Sequence, residues 1–265
     1  MEERPHEEIR SERHAAAGQA GTTARRPEPP TLADHGSVGR WFWEWTKSIF
    51  VAFLLFLFVR TFIVEAFQIP TASMENTLLV GDFLLVNKMA FGADIPGTEL
   101  HLPAFRDPSL GDVVVFEPPR AARQPPRTNY VKRIVGSPGD MLHMRDGRLY
   151  RNDEPVDEPY VKRSERVSDV RSSQFSWQQK YATGRQRRRS PTRDNWGPIT
   201  VPSDSFFVMG DNRANSEDSR YWGFIGKESV KGKPLIIYYS YDRKKVSPLR
   251  WLTEIRWDRL LDRIE

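Results

Sequence analysis

Residues Trp43 to Val64 form one long apolar segment, and no other feature restricts the fold of this chain so strongly. The run from Ser48 to Val59 carries no charged side chain; Arg60 interrupts it, and Phe62, Ile63 and Val64 resume it. The uninterrupted part falls short of the ~20 residues a helix needs to cross a bilayer, but the whole segment suffices if Arg60 snorkels outward near one end. Trp41, Phe42, Trp43 and Trp45 with Lys47 precede the uncharged run, a composition favoured where a helix enters the membrane interface. A buried core helix and a cleaved secretion signal are the alternatives. The second is disfavoured by the polar residues before the run and by the lack of a small-residue cleavage site after it. Residues 41–65 therefore read as an uncleaved transmembrane anchor. Charge does not fix its orientation, because Arg40 and Lys47 are opposed by Glu44 and by Arg60 at the other end.

Residues 1–40 are rich in Glu, Arg, Ala, Gly and Pro, with almost no large apolar side chains. Such a stretch cannot bury enough surface to offset the entropy of ordering, so a disordered tail is expected. Beyond the anchor the pattern changes to short β-branched runs punctuated by Gly, Pro and Asp: Phe83 to Val86, Val113 to Phe116, Tyr130 to Val135, Phe206 to Met209 and Leu235 to Tyr239. These predict a mostly β fold, with a catalytic β domain over 66–136 and 203–249. A smaller β subdomain is expected as an insertion over 137–202. Within it Asp146-Gly147, between Met141–Met144 and Arg148–Tyr150, predicts a tight hairpin. Residues 162–196 are basic, with a cluster at Arg185, Arg187, Arg188 and Arg189, and read as a solvated face or loop, with contact to anionic lipid as the alternative. Trp251, Ile255, Leu261 and Ile264 recur between arginines at near-helical spacing. They predict an amphipathic helix over 250–265 that packs on the domain or lies on a membrane surface.

The net charge of +5 suits either nucleic acid or an anionic membrane surface. The chain has no cysteine, which excludes a disulfide framework, a thiolate nucleophile and a thiolate zinc site. Its five histidines, His6, His14, His35, His101 and His143, show no HExxH spacing, so neither a metal nor a cofactor is expected. His143 falls in a hairpin strand and reads as half-exposed.

Two segments carry chemistry when taken together. Ser73 follows Ile69-Pro70-Thr71-Ala72; alone, a serine there is a turn residue or a helix cap. Lys132 lies in Tyr130-Val131-Lys132-Arg133-Ile134, where strand alternation sets it between Tyr130 and Ile134 on one face. Apolar surroundings lower a lysine's pKa from ~10.4, and an amine brought to ~7–8 can take a proton from a hydroxyl near neutral pH. The bland reading is a sheet-edge lysine with its ammonium in water.

Several segments, in order, resemble bacterial type I signal peptidase (leader peptidase). They are Arg60-Thr61-Phe62 with Glu65, Ile69 to Met74, Gly81-Asp82, Gly111 to Phe116, Tyr130 to Arg133 with Gly136 to Asp140, and Gly210 to Gly223. The resemblance implies a β-rich catalytic domain across the membrane from the cytoplasm, anchored in a bacterial inner membrane by a single span. It further implies cleavage of preprotein signal peptides after small residues. By the same resemblance Ser73 is the nucleophile and Lys132 its base, Ser216 orients Lys132, and Thr71 with the Ser73 N–H holds the oxyanion. Asp211, Arg213, Asp218 and Arg220 act as supports, and Ile69, Met74, Leu78, Tyr130 and Val131 line the substrate pocket. The expected partners are preproteins and membrane lipid, not nucleic acid, and the expected state is a monomer. Ala72, Asn76 and Ala214 stand where the family pattern more often has glycine, proline and aspartate; none is a proposed catalytic group. The rivals are weaker: position 76 lacks the lysine of an SxxK enzyme, no GxSxG elbow is present, a soluble self-cleaving repressor needs no anchor, and a scaffold module needs no intact Ser73, Lys132 and Ser216.

Overall fold

A computed structural model describes residues 38–92, 104–122, 125, 128–163, 168–182, 190–245 and 248–264. Of the expected tail, residues 1–37 lie outside the described residues, as do His101 and the cluster Arg185 to Arg189, whereas residues 38–40 are helical rather than disordered. The chain divides into two compact units, 1–49 and 50–265. Helix α1 spans Val38–Phe58 and continues as a π-helical turn over Val59–Ile63. Together Gly39–Ile63 make 25 residues long and apolar enough to cross a membrane, and the described side chains of α1 are all exposed. In the first unit, the Trp41 and Trp45 rings lie 5.9 Å apart and tilted by 53°, and Lys47 bonds Glu44 at 2.7 Å. Helical structure ends at Ile63, earlier than the expected limit at 65, because β-branched Val64 and Glu65 already belong to a strand.

Among the described residues the second unit holds eleven strands: β1 Val64–Gln68, β2 Asp82–Asn87, β3 Val113–Phe116, β4 Tyr130–Gly136, β5 Met141–Arg145, β6 Arg148–Arg151, β7 Glu154–Pro155, β8 Trp196–Thr200, β9 Ser205–Met209, β10 Ile225–Gly226 and β11 Val230–Ser240. One sheet has the order β1-β2-β11-β3-β4-β9-β10, the other β7-β6-β5-β8. All pairings among these eleven strands are antiparallel.

The long strand β11 joins two halves of the larger sheet. Its first residues, Val230 and Gly232, pair with β3, whereas Lys233 to Ser240 pair with β2. Register shifts between Val230 and Gly232, Pro234 and Ile236, and Ile237 and Tyr239 bend it, as extra residues in one strand do. At the crossing Gly232 has no alternative, since a Cβ there would collide with the Asn87 carbonyl. Between the halves, β3 is buried on both faces, which is why its sequence is an unbroken apolar run. Val113 and Val115 pack with Ile69, Met74, Leu78 and Leu84, while Val114 and Phe116 pack with Ile134, Phe206, Val208 and Trp222.

The second sheet is built within residues 141–200, inside the same compact unit as the first. Its apolar face packs on Val135, Phe207 and Met209 of the larger sheet. The β5–β6 turn has φ of 49° at Asp146 and 74° at Gly147, the left-handed pair that a two-residue hairpin requires. His143 is buried, not half-exposed: its ring stacks on Tyr150 at 4.7 Å, and desolvation holds its pKa below the ordinary value.

Two expectations are corrected. Part of the basic insertion is a packed element rather than a solvated loop: Ser173–Trp177 form a 3-10 turn leading into helix α2, Gln178–Tyr181. Phe175 is fully buried against Tyr221, and Trp177 Nε1 donates to the Arg220 carbonyl at 3.0 Å. Aromatic residues within a charged composition supply that anchoring. The amphipathic helix over 250–265 also does not form. Only Arg250–Thr253 are α-helical and Trp257–Arg259 make a 3-10 turn, while Ile255 and Arg263 bridge to Tyr241 and Ile236. Tertiary pairing with β11 overrides the helical period.

Phe116 lies at the centre of one core cluster, 5.9 Å from the Trp222 ring. Phe116→Ala is expected to cost about 3–5 kcal/mol, read by urea unfolding of the full chain in detergent; a loss below about 1 kcal/mol would contradict this packing.

Candidate active site

Ser73 sits in a 3-10 turn, Ala72–Met74, directly after β1 and the Ile69-Pro70 corner. Extended Thr71 leads into the turn, and the Thr77 and Leu78 N–H groups close on the Met74 carbonyl at 3.0 and 2.7 Å. Met74 and Leu78 anchor the turn in the core below. The Asn212 N–H donates to the Ser73 carbonyl at 3.1 Å, and Asn212 Nδ2 donates to the Ala72 carbonyl at 3.1 Å. Gly210 lets this loop approach closely: a Cβ there would collide with the Ser73 carbonyl oxygen and the Ser216 hydroxyl. At Asn76 the backbone has φ of 105°, which a proline could not adopt, and Asn76 Nδ2 donates to the Tyr160 carbonyl.

Lys132 reaches this turn from β4. Its register partner is Val114, in the centre of the sheet, and only 4% of Lys132 is exposed. Lys132 Nζ lies 2.7 Å from Ser73 Oγ and 3.1 Å from the Val131 carbonyl, with the Tyr130 ring 5.3 Å away. Burial lowers its pKa to about 8, against the pull of Asp218 and Asp211, which favour the charged form, and with help from Arg220. The amine is thus largely protonated near neutrality and free to accept a proton at mildly alkaline pH. When charged, Nζ donates to Oγ; when neutral, the hydroxyl can donate to the nitrogen lone pair.

Around the pair stand three buried arginine–carboxylate contacts. Arg133, facing away from Lys132, donates to Asp211 at 3.0 and 2.8 Å and stacks over the Tyr160 ring. Arg213 grips Glu158 through both terminal nitrogens. Arg220 donates to Asp218 at 2.8 Å from both Nε and Nη2, and neither side chain is exposed. Burial alone raises the Asp218 carboxyl, but Arg220 and the Gly210 N–H outweigh it and hold the group below the ordinary carboxylate value. Asp211 also accepts from the Thr77 hydroxyl at 2.5 Å, which ties the Ser73 turn to this network.

The remaining sequence-derived residues fall as follows. Thr71 is exposed, with Oγ1 3.4 Å from Ser73 Oγ. Ser216 is buried, and its hydroxyl favours the ionised Asp218 carboxylate without the geometry of a full hydrogen bond. No hydrogen bond joins Ser216 to Lys132 among the described residues; the Nζ contacts are Ser73 and Val131. A cleft of about 520 Å³ opens at Ser73 and Lys132 and is lined by Ile69, Met74, Tyr130 and Val131, with Asn215 and Glu217 at the polar side. Leu78 does not line it: it is fully buried beneath, in the core cluster. Sequence reasoning missed Glu158 and the pairing of Arg133 with Asp211. Neighbouring residues gave no sign of contacts across 55 and 78 positions.

A family profile described as signal peptidase, peptidase S26 matches residues 42–239. A signal peptidase I from Pseudomonas fluorescens is 36% identical over 220 residues, covering 78% of this chain and 75% of that protein. The Pseudomonas aeruginosa signal peptidase I is 38% identical over 221 residues, with the same shares of each chain. Among solved structures, a signal peptidase I from Enterococcus faecalis aligns over 49% of this chain and 98% of its own, at 26% identity and a TM-score of 0.32.

Arg220→Met would leave the Asp218 carboxylate buried without its partner, and a loss of about 3–5 kcal/mol is expected. Chemical unfolding of the full chain in detergent measures it; a variant as stable as the parent would show that the pair does not hold the loop.

Proposed function

This chain belongs to the signal peptidase family, peptidase S26, and from that premise we propose that it is a membrane-anchored serine endopeptidase cleaving signal peptides from preproteins, with Ser73 as nucleophile and Lys132 as base. The observation that carries this reading is the buried amine 2.7 Å from the Ser73 hydroxyl, with its pKa lowered to about 8. A serine hydroxyl is a weak nucleophile until a base takes its proton, and a desolvated lysine is one of the few groups able to do so near neutral pH.

In the first half-reaction Ser73 Oγ attacks the scissile carbonyl carbon as Lys132 Nζ accepts the hydroxyl proton. The carbonyl oxygen becomes an oxyanion, received by the Ser73 N–H and the Thr71 hydroxyl. Donors already aimed at developing charge need no reorganisation, and removing one costs ~10²–10³ in rate. The C–N bond then breaks, Lys132 returns its proton to the leaving amine, and the signal peptide stays esterified to Ser73. In the second half-reaction Lys132 takes a proton from water, the resulting hydroxide attacks the ester carbon, the bond to Ser73 Oγ breaks to release the signal peptide with a free carboxyl group, and the same proton returns to Ser73 Oγ.

Substrate binding follows from strand pairing. Strand β9 joins β4 from Arg133 onward, so Val131 and Lys132 border the cleft rather than a strand on that side. An extended chain laid there gains main-chain hydrogen bonds. Ile69, Met74, Tyr130 and Val131 leave room for small side chains before the cut. In this reading Gly39–Ile63 is the single membrane span, residues 66–136 and 203–249 form the catalytic domain with 137–202 inserted, and that domain faces the extracytoplasmic side of a bacterial inner membrane. The enzyme works as a monomer at the lipid surface, and Ser216 acts on Lys132 through Asp218 rather than by direct contact.

Ser73→Ala and Lys132→Ala are each expected to lower cleavage of a preprotein in lipid or detergent by ~10⁴-fold or more, with unfolding midpoints near the parent's. Undiminished processing by either purified variant would overturn the assignment.

A further inference from the structure

The last segment of the chain returns to the turn that carries Ser73. Asp82 opens β2, nine positions after Ser73, and none of it is exposed. Its Oδ2 accepts from the Leu79 N–H at 2.7 Å and from Arg259 Nη2 at 2.7 Å; its Oδ1 accepts from Ser240 Oγ at 2.7 Å and from Arg259 Nε at 3.3 Å. Arg259 Nη2 also donates to the Thr77 carbonyl at 2.9 Å, and Arg256 Nη2 donates to the Val80 carbonyl at 3.1 Å. Five residues past Arg259, Ile264 is buried in the core cluster that holds Met74 and Leu78.

These contacts converge on one short stretch. Thr77 is held at its hydroxyl by Asp211 and at its carbonyl by Arg259, while its N–H closes the turn on Met74. The leg of chain leaving Ser73 is therefore clamped on one side by the Gly210–Asp211 loop and on the other by the C-terminal segment. A planar guanidinium suits this place because one group can serve a carboxylate and a carbonyl together, which an ammonium on a flexible stem does less well.

We infer that residues 256–264 are a clasp for the catalytic turn, with Arg259 as the positioning residue that sets where Ser73 Oγ stands relative to Lys132. The inference rests on Ser73 being the nucleophile. Arg259 touches neither the cleft nor Lys132, so it acts only through Thr77 and Asp82. A shift of the turn by ~1 Å would spoil the 2.7 Å contact between Oγ and Nζ, and displacements of that size cost up to ~10²-fold in rate.

The test is steady-state cleavage of a preprotein by the full chain in detergent. Arg259→Ala is expected to lower kcat by ~10- to 100-fold with KM changed less than ~2-fold, because the cleft walls stay in place. The pH midpoint of kcat should remain near about 8, since Lys132 keeps its burial, and added guanidinium should restore part of the rate. Arg259→Lys, which keeps the ion pair but loses the fork, should fall between the parent and Arg259→Ala. Unchanged kcat in Arg259→Ala, or a loss confined to KM, would overturn the clasp. If Arg259→Ala does not fold, Arg259→Lys decides, and its full kcat would overturn the clasp as well. Ser73→Ala measured in parallel separates the two claims: activity there sinks the nucleophile assignment, whereas an inactive Ser73→Ala beside a fully active Arg259→Ala sinks only the clasp.

Discussion

A primary amine held out of water beside a serine hydroxyl is the constraint on which the rest of this structure turns. Water favours the charged ammonium strongly, so the neutral form is reached near physiological pH only if the fold removes solvent from the group. The sheet does so by placing Lys132 opposite Val114, at a position where β3 is covered on both faces. The two core clusters meet at β3, so one short apolar strand buries Lys132 and also supports Met74 beneath Ser73.

In the proposed mechanism the buried Lys132 ammonium loses its proton, which requires that the neighbouring charges be fixed. The three arginine–carboxylate pairs meet that need: Arg133 with Asp211, Arg213 with Glu158, and Arg220 with Asp218. Unpaired, any of these groups would be costly in the interior; paired, they tie the loop after β9 to β4 and to the segment around Glu158. Their charges act on Lys132 in opposite directions, Asp218 and Asp211 raising its pKa and Arg220 lowering it, so desolvation sets the outcome. The same loop returns through Asn212 to the carbonyl of Ser73, which joins the electrostatic frame to the Ser73 backbone.

Much of this was legible in the sequence because it is local. The strands around Val113, Tyr130 and Phe206 follow β-branched runs, the Asp146-Gly147 turn follows its dipeptide, and the long helix follows continuous apolar composition. The partnership of Ser73 and Lys132 is 59 residues apart and came from ordered resemblance, not spacing. What stayed hidden is tertiary. Glu158 carries no local sign of its role, because its partner Arg213 lies 55 positions away. Leu78 reads as a pocket wall, yet it is the underside of the turn. Arg256 and Arg259 read as the polar face of a helix because their spacing is helical, but Asp82 and the edge of β11 draw them into a clasp instead.

The central claim is that Lys132 must be neutral to activate Ser73. Because burial depresses the folded-state pKa to about 8, the active form is scarce below that value and complete above it. Single-turnover cleavage of a preprotein across pH is the direct measurement: the rate should rise about tenfold per pH unit and level off above a midpoint near about 8. A rate that is flat from weakly acid to alkaline pH, or one that falls as pH rises through 8, would contradict the account.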